Sequence, residues 1–177
     1  MPPGARRRLI DEDGFGMVEL IISVFVLTVA LLAIGVAFGT AFVSVRAAAK
    51  QTVAAKLADT QMERYAALAY SSIGLDATTL SSAKASDTTY TADLAALNAA
   101  RSGTDVTISG CGTSAQCLPV QTTTGTDGKS YRVETFIRDV TSFTTWQERT
   151  VTVIVRDPSK SGTPEIYRIT SGFDKGP

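Results

Sequence analysis

The chain has 177 residues, 44% apolar but only 7% aromatic, with 17 basic residues balancing 17 acidic ones and no histidine. Zero net charge argues against recognition of nucleic acid or anionic lipid through bulk electrostatics. The missing histidine removes the commonest general base and the commonest neutral metal ligand, and two cysteines alone do not make a zinc site. Composition therefore leans away from an enzyme and predicts neither cofactor nor metal.

Residues 20–45 read LIISVFVLTVALLAIGVAFGTAFVSV, without one charge. As an α-helix this run of about 26 residues extends about 39 Å, enough to cross a hydrocarbon core of about 30 Å. It is longer than the apolar core of a secretory signal, about 7–15 residues, and apolar on every face, unlike the core helix of a soluble domain. A retained membrane-spanning helix is predicted. Its Ser and Thr can bond back to their own helix. No proline interrupts it, and Gly35 and Gly39, each lowering helix propensity by about 1 kcal/mol relative to Ala, mark where it would loosen.

The flanks orient the span. Arg6, Arg7 and Arg8 precede it, followed by Asp11, Glu12 and Asp13, which count for little in topology. The arginine cluster places the N-terminus in the cytoplasm, although Arg46 and Lys50 follow the other end. Glu19 stands at the edge of the apolar run, four residues after Phe15. A carboxylate there can simply snorkel to the interface. If the chain were cut after Gly14, however, the new amino group on Phe15 would lie one helical turn away, and an ammonium and a carboxylate can neutralise each other where neither alone is tolerated.

Gly14, Phe15, Glu19 and the run 20–45, in that order behind a short hydrophilic leader, resemble the N-terminal signature of the type IV prepilin family. The resemblance implies cleavage between Gly14 and Phe15 by a membrane-embedded prepilin peptidase and N-methylation of Phe15. It implies that Glu19 pairs with a neighbouring subunit's N-terminus during assembly. The implied partners are that peptidase, the pilus assembly platform and motor, other pilin subunits, and membrane lipid before assembly. The implied location is the cytoplasmic membrane, N-terminus inside, and then a cell-surface fibre. Major pilin, minor pilin and type II secretion pseudopilin share this pattern, with the long Ser/Thr-rich connection favouring a minor pilin. A single-pass protein with an exterior ligand-binding domain that never polymerises is the competing reading.

Three regions are expected: a leader over 1–14, a long helix over 15–70, and an exterior domain over 71–177. Within 46–70, Ala54, Leu57, Ala58, Met62, Tyr65, Leu68 and Ala69 recur at spacings of three and four, predicting an amphipathic continuation of the spanning helix. Ser71, Ser72 and Gly74 supply a stop. Residues 71–119 read as a variable connection with one possible helix over 91–100 and a short strand at 106–108. Cys111 and Cys117 enclose five residues. In a domain carried across a membrane they are expected to form a disulfide, and in a cytosolic one they would remain free thiols.

Strand periodicity dominates the last third. Tyr131, Val133, Thr135 and Ile137 share one parity, Val151, Val153 and Val155 form a β-branched row, and 166–171 complete a third strand. Short connections make the sheet antiparallel over 130–171, with Phe143 and Trp146 expected to seal an edge. The fold class predicted is α+β, a long N-terminal helix packed through its second half on a small antiparallel sheet, as the pilin resemblance also implies. Arg132, Arg138, Arg156 and Arg168 form a candidate nucleic-acid stripe on the outer face. Interleaved Glu134, Asp139, Glu148 and Glu165 favour a solvated surface of ion pairs, leaving nucleic acid unsupported as a partner. Asp127-Gly128 reads as a tight turn, and Asp127 has no companion ligands to make it a calcium site.

Overall fold

Met17–Ala66 form one uninterrupted α-helix, α1, which passes through Gly35 and Gly39 without a break. The computed structural model describes residues 16–112, 114–142 and 146–175, in two units that divide after Arg46. In the first unit every described residue is exposed. The second unit, from Ala47, contains the core.

α1 ends four residues before its expected limit, and a 3-10 turn, Tyr70–Ser72, follows. Arg149 explains the departure. Its Nη1 donates to the carbonyls of Tyr70 and Ile73, 2.8 Å each, and its guanidinium stacks 4.4 Å over the Tyr70 ring. These contacts draw the chain off the helix axis. Then come β1 (Leu75–Asp76), α2 (Ala77–Ser86), α3 (Thr88–Ala100), β2 (Thr104–Asp105), β3 (Thr107–Ile108), β4 (Val120–Thr124), β5 (Ser130–Ser142), β6 (Trp146–Arg156) and β7 (Glu165–Asp174).

β5, β6 and β7 are antiparallel neighbours, and β2 and β4 share the other edge of β5. β1 and β3 pair separately in parallel. One face of the main sheet carries Tyr131, Val133 and Ile137 beside Val151, Val153 and Val155, all buried with Ala54, Ala58, Met62 and Tyr65 of α1. The buried positions of α1 fall three and four apart, so this is the predicted apolar stripe. Each large side chain removed from water there contributes about 2 kcal/mol. Gly125 sits where no side chain fits. A Cβ would meet Val53 Cγ1 at 2.6 Å and Tyr131 Cε2 at 2.7 Å, so the turn before β5 rests directly on the helix. That turn is the one expected at Asp127-Gly128: Gly128 takes φ 73°, and Asp127 accepts from Lys129 N–H at 3.2 Å and from the Tyr131 hydroxyl at 2.9 Å.

The second face differs from expectation. α3 covers it, and the sheet lies between two helices. Residues 71–119, expected to be a connection with one helix over 91–100, hold two helices and three short strands. Both helices begin on an aspartate cap: Asp76 accepts from Thr78 and Thr79 N–H, and Asp87 from Thr89 and Tyr90 N–H. A cap of this kind contributes about 1 kcal/mol. Tyr90 stacks on Phe136 with centroids 4.4 Å apart and donates to the Thr135 carbonyl at 3.1 Å. The strands expected at 130–171 are present and extend further at their ends, whereas β4 was not foreseen. The proposed edge seal of Phe143 and the Trp146 side chain lies outside the described residues.

At the opposite end of the core from Arg149, Lys50 of α1 pairs with Asp157, which is nearly fully buried after β6. Burial alone would raise the Asp157 carboxyl, yet the Lys50 ammonium, the Ser159 hydroxyl and the Ser159 N–H outweigh it and hold the group at about 2. A depressed carboxyl contributes stability above its ordinary value and loses it as pH falls toward the folded one. Asp157→Asn should therefore cost about 2 kcal/mol at neutral pH. It should also flatten the loss of melting temperature as pH falls from about 4 to about 2. Identical acid sensitivity in both proteins would remove the pair from the account.

Candidate functional site

The longest stretch of the chain with a single physical character is the first part of α1. From Met17 to Val45 its eighteen large apolar side chains are 50 to 82% exposed. The mean hydropathy of its most apolar window is 2.9. Covering such a surface is worth on the order of 30 kcal/mol, so lipid or other protein must cover it. The four polar side chains inside the run are satisfied within the helix. Ser23 donates to the Glu19 carbonyl and Thr28 to Val24, both at 2.8 Å; Thr40 donates to Ala37 at 2.9 Å, and Ser44 to Thr40 at 3.1 Å. This back-bonding was predicted. It leaves the surface without a side-chain hydroxyl that needs water. The protein thus has one long apolar N-terminal helix, as membrane anchoring or a signal requires.

Glu19 lies in the first turn of α1. Its N–H donates to Gly16 at 2.9 Å, as does that of Leu20 at 3.2 Å. A carboxylate in this position opposes the positive end of the helix dipole, worth about 0.5 kcal/mol. Among the described residues nothing pairs with its side chain. Gly14 and Phe15, the expected cleavage and methylation residues, lie outside the described residues.

The four arginines of the expected basic stripe are already engaged. Arg132 donates through Nε to Glu134 at 2.6 Å and also pairs with Asp87 at the cap of α3. Arg156 donates through Nε to Glu134 at 3.1 Å and to Asp93 at 3.2 Å, and through Nη1 to the Thr163 carbonyl at 2.9 Å. Arg138 makes no direct ion pair among the described residues, although Asp105, its cross-strand neighbour, attracts it through space. Its Nη2 donates to Asn98 Oδ1 and to the Arg101 carbonyl at the end of α3, each at 2.6 Å. Only Arg168 stays on the surface, paired with Glu165 at 2.6 Å. The stripe is therefore ion-paired, as expected, but it is largely covered by α3 rather than solvated. Burial and the neighbouring Asp93 carboxylate, to which a protonated Glu134 can donate, raise the Glu134 carboxyl, against the pull of Arg132 and Arg156.

Cys111 and Cys117 are joined, with Cα atoms 6.1 Å apart, and Cys117 is fully buried. The loop they close lies against α1. Ala115 offers its carbonyl to Gln61 Nε2 at 3.1 Å, and Gln116 offers its own to the Tyr65 hydroxyl at 2.5 Å. The contact between this loop and α1 was missed from sequence. A buried glutamine on an otherwise apolar stripe was its one signal.

The architecture, a long apolar helix whose second half packs on an antiparallel sheet, is pilin-like. No family model matches the chain, and neither a curated protein nor a solved structure is detectably similar to it. For the disulfide, both thiols should resist alkylation until a reductant is added. Reduction should then destabilise the domain by about 2 kcal/mol, from the loop-closure entropy of a short ring. Two thiols labelled without reductant would refute the bond.

Proposed function

We propose that this chain is a structural subunit of a type IV pilus or a pilus-like fibre, best matched to a minor pilin, with a type II secretion pseudopilin sharing the same parts. It is held in the cytoplasmic membrane as a precursor with its N-terminus inside. Prepilin peptidase hydrolyses the bond between Gly14 and Phe15, and the freed amine of Phe15 is N-methylated. The assembly platform and motor then transfer the helix from lipid into a fibre of pilin subunits, outside the membrane.

The observation that supports this reading is the helix itself. A surface of eighteen exposed apolar side chains carries a single carboxylate, Glu19, in its first turn. The same helix becomes amphipathic and enters the core of an α+β domain. A lipid anchor alone explains the apolar surface and gives Glu19 only a weak dipole contact at the membrane edge. Transfer into a fibre gives every part a role: neighbouring helices replace lipid, and Glu19 meets a terminal ammonium that neutralises it.

In cells with an active prepilin peptidase, mass analysis of the N-terminal peptide should find Phe15 first, carrying one methyl group. A terminus that retains Arg6 in such cells would defeat the reading. Glu19→Ala should leave cleavage intact and reduce incorporation into fibres about tenfold or more, the expected loss of one poorly solvated ion pair. Undiminished incorporation would take the pairing role away from Glu19.

A further inference from the structure

A hollow of about 180 Å³ opens between α1, the disulfide loop and β4. Its charge is unusual for so small a site. Arg64 stands at its wall, no acidic side chain lines it among the described residues, and Arg64 forms no ion pair among them. The guanidinium is held in place: its Nη1 donates to Gln61 Oε1 at 2.9 Å. Gln61 is itself 2% exposed, and its Nε2 is committed to Ala115 and Tyr65 at 3.1 Å each. The amide cannot turn without breaking these bonds, so it orients the guanidinium, whose remaining N–H groups make no hydrogen bond to protein among the described residues.

Opposite Arg64 lie groups of another kind. Gln121 and Thr123 pair in register with Val133 and Tyr131, residues of the sheet face that packs on α1. Their amide and hydroxyl form no side-chain hydrogen bond among the described residues. Leu57 and Val133 supply an apolar wall between them and the helix. A fixed guanidinium fork matches a planar carboxylate in two parallel hydrogen bonds. A free amide and hydroxyl match ring hydroxyls, and an apolar wall matches the C–H face of a saturated ring. One cation without a second nearby suits a monoanion better than a phosphate.

We infer that this hollow is a binding site for a hydroxylated carboxylate of the sugar-acid class, with Arg64 holding the carboxylate and Gln121 and Thr123 the hydroxyls. The site lies entirely within the second unit and does not rest on polymerisation.

The test is calorimetric titration of the full-length protein in detergent micelles with glucuronate, and with glucose as the uncharged counterpart. Glucuronate should bind saturably, and glucose about tenfold more weakly or worse, the difference a charge-assisted pair of hydrogen bonds makes. Arg64→Gln should lose at least about tenfold of the glucuronate affinity, while its melting temperature falls only modestly, by the loss of one hydrogen bond to the buried Gln61 Oε1, and it stays folded during the titration. Arg64→Lys keeps the charge without the fork and should recover only part of the loss. A uronate trisaccharide separates the two sources of this chemistry: affinity equal to that of glucuronate points to a chain end, and binding of the monosaccharide alone points to a free acid. Equal affinity for glucose and glucuronate, undiminished binding by folded Arg64→Gln, or no saturable heat with any of the three sugars would overturn the assignment.

Discussion

An apolar helix surface cannot be left in water, and much of this protein follows from that constraint. The first part of α1 satisfies its own backbone and its own four side-chain hydroxyls. It therefore asks nothing polar of its surroundings and is equally at home against lipid tails or other helices. From Ala54 onward the same helix has one apolar stripe, and the sheet covers it. The helix is thus written in two dialects. One is apolar all round for a medium without hydrogen bonds, and the other is one-sided for a folded core.

The second unit is held by charge as well as by apolar burial. Its sheet has a dry face toward α1 and a face toward α3 on which three arginines and two carboxylates are mostly buried. Such pairs seldom add net stability over well-packed apolar residues, because desolvation offsets their attraction. Their effect is positional. Arg132 holds the cap of α3, Arg156 its middle through Asp93, and Arg138 its last carbonyl. A helix that slid along the sheet by one turn would strip Arg138 of both its hydrogen-bond partners and leave Arg132 and Arg156 to share Glu134. The arrangement fixes where α3 sits.

The legibility of the sequence followed physical simplicity. The span was plain because 26 residues without a charge have few alternatives, and the three long strands were plain because Tyr131 to Ile137 and Val151 to Val155 alternate with period two. The stretch 71–119 was opaque because its helices are short and polar outside: Leu80 is the one buried residue of α2, and α3 buries Tyr90 and Asp93. Asp76 and Asp87, each opening an Ala- and Thr-rich segment, were the available cap signals. The arginine parity was read correctly and its environment was not, since nothing in β5 itself tells whether a helix arrives from elsewhere to cover it. Arg64 lies off the apolar stripe of α1, where its sequence neighbours say nothing of a site. Its place beside a hollow depends on Gln61 and on a loop more than fifty residues away, and no local pattern encodes that.

The course of the chain between Val106 and Pro119 carries one more consequence. Val106 N–H bonds the Ile137 carbonyl at 2.9 Å, and the Pro119 carbonyl receives Thr135 N–H at 2.8 Å. The chain therefore leaves β5 and returns to it two residues away, and the detour begins and ends on the same strand. Its closure entropy is already met by the sheet, and doubling the length of such a loop costs only about 0.6 kcal/mol. The detour is a natural cassette. Evolution, or an engineer wishing to display a foreign peptide on a surface, can exchange its outer part while β5 keeps the register of everything beneath it.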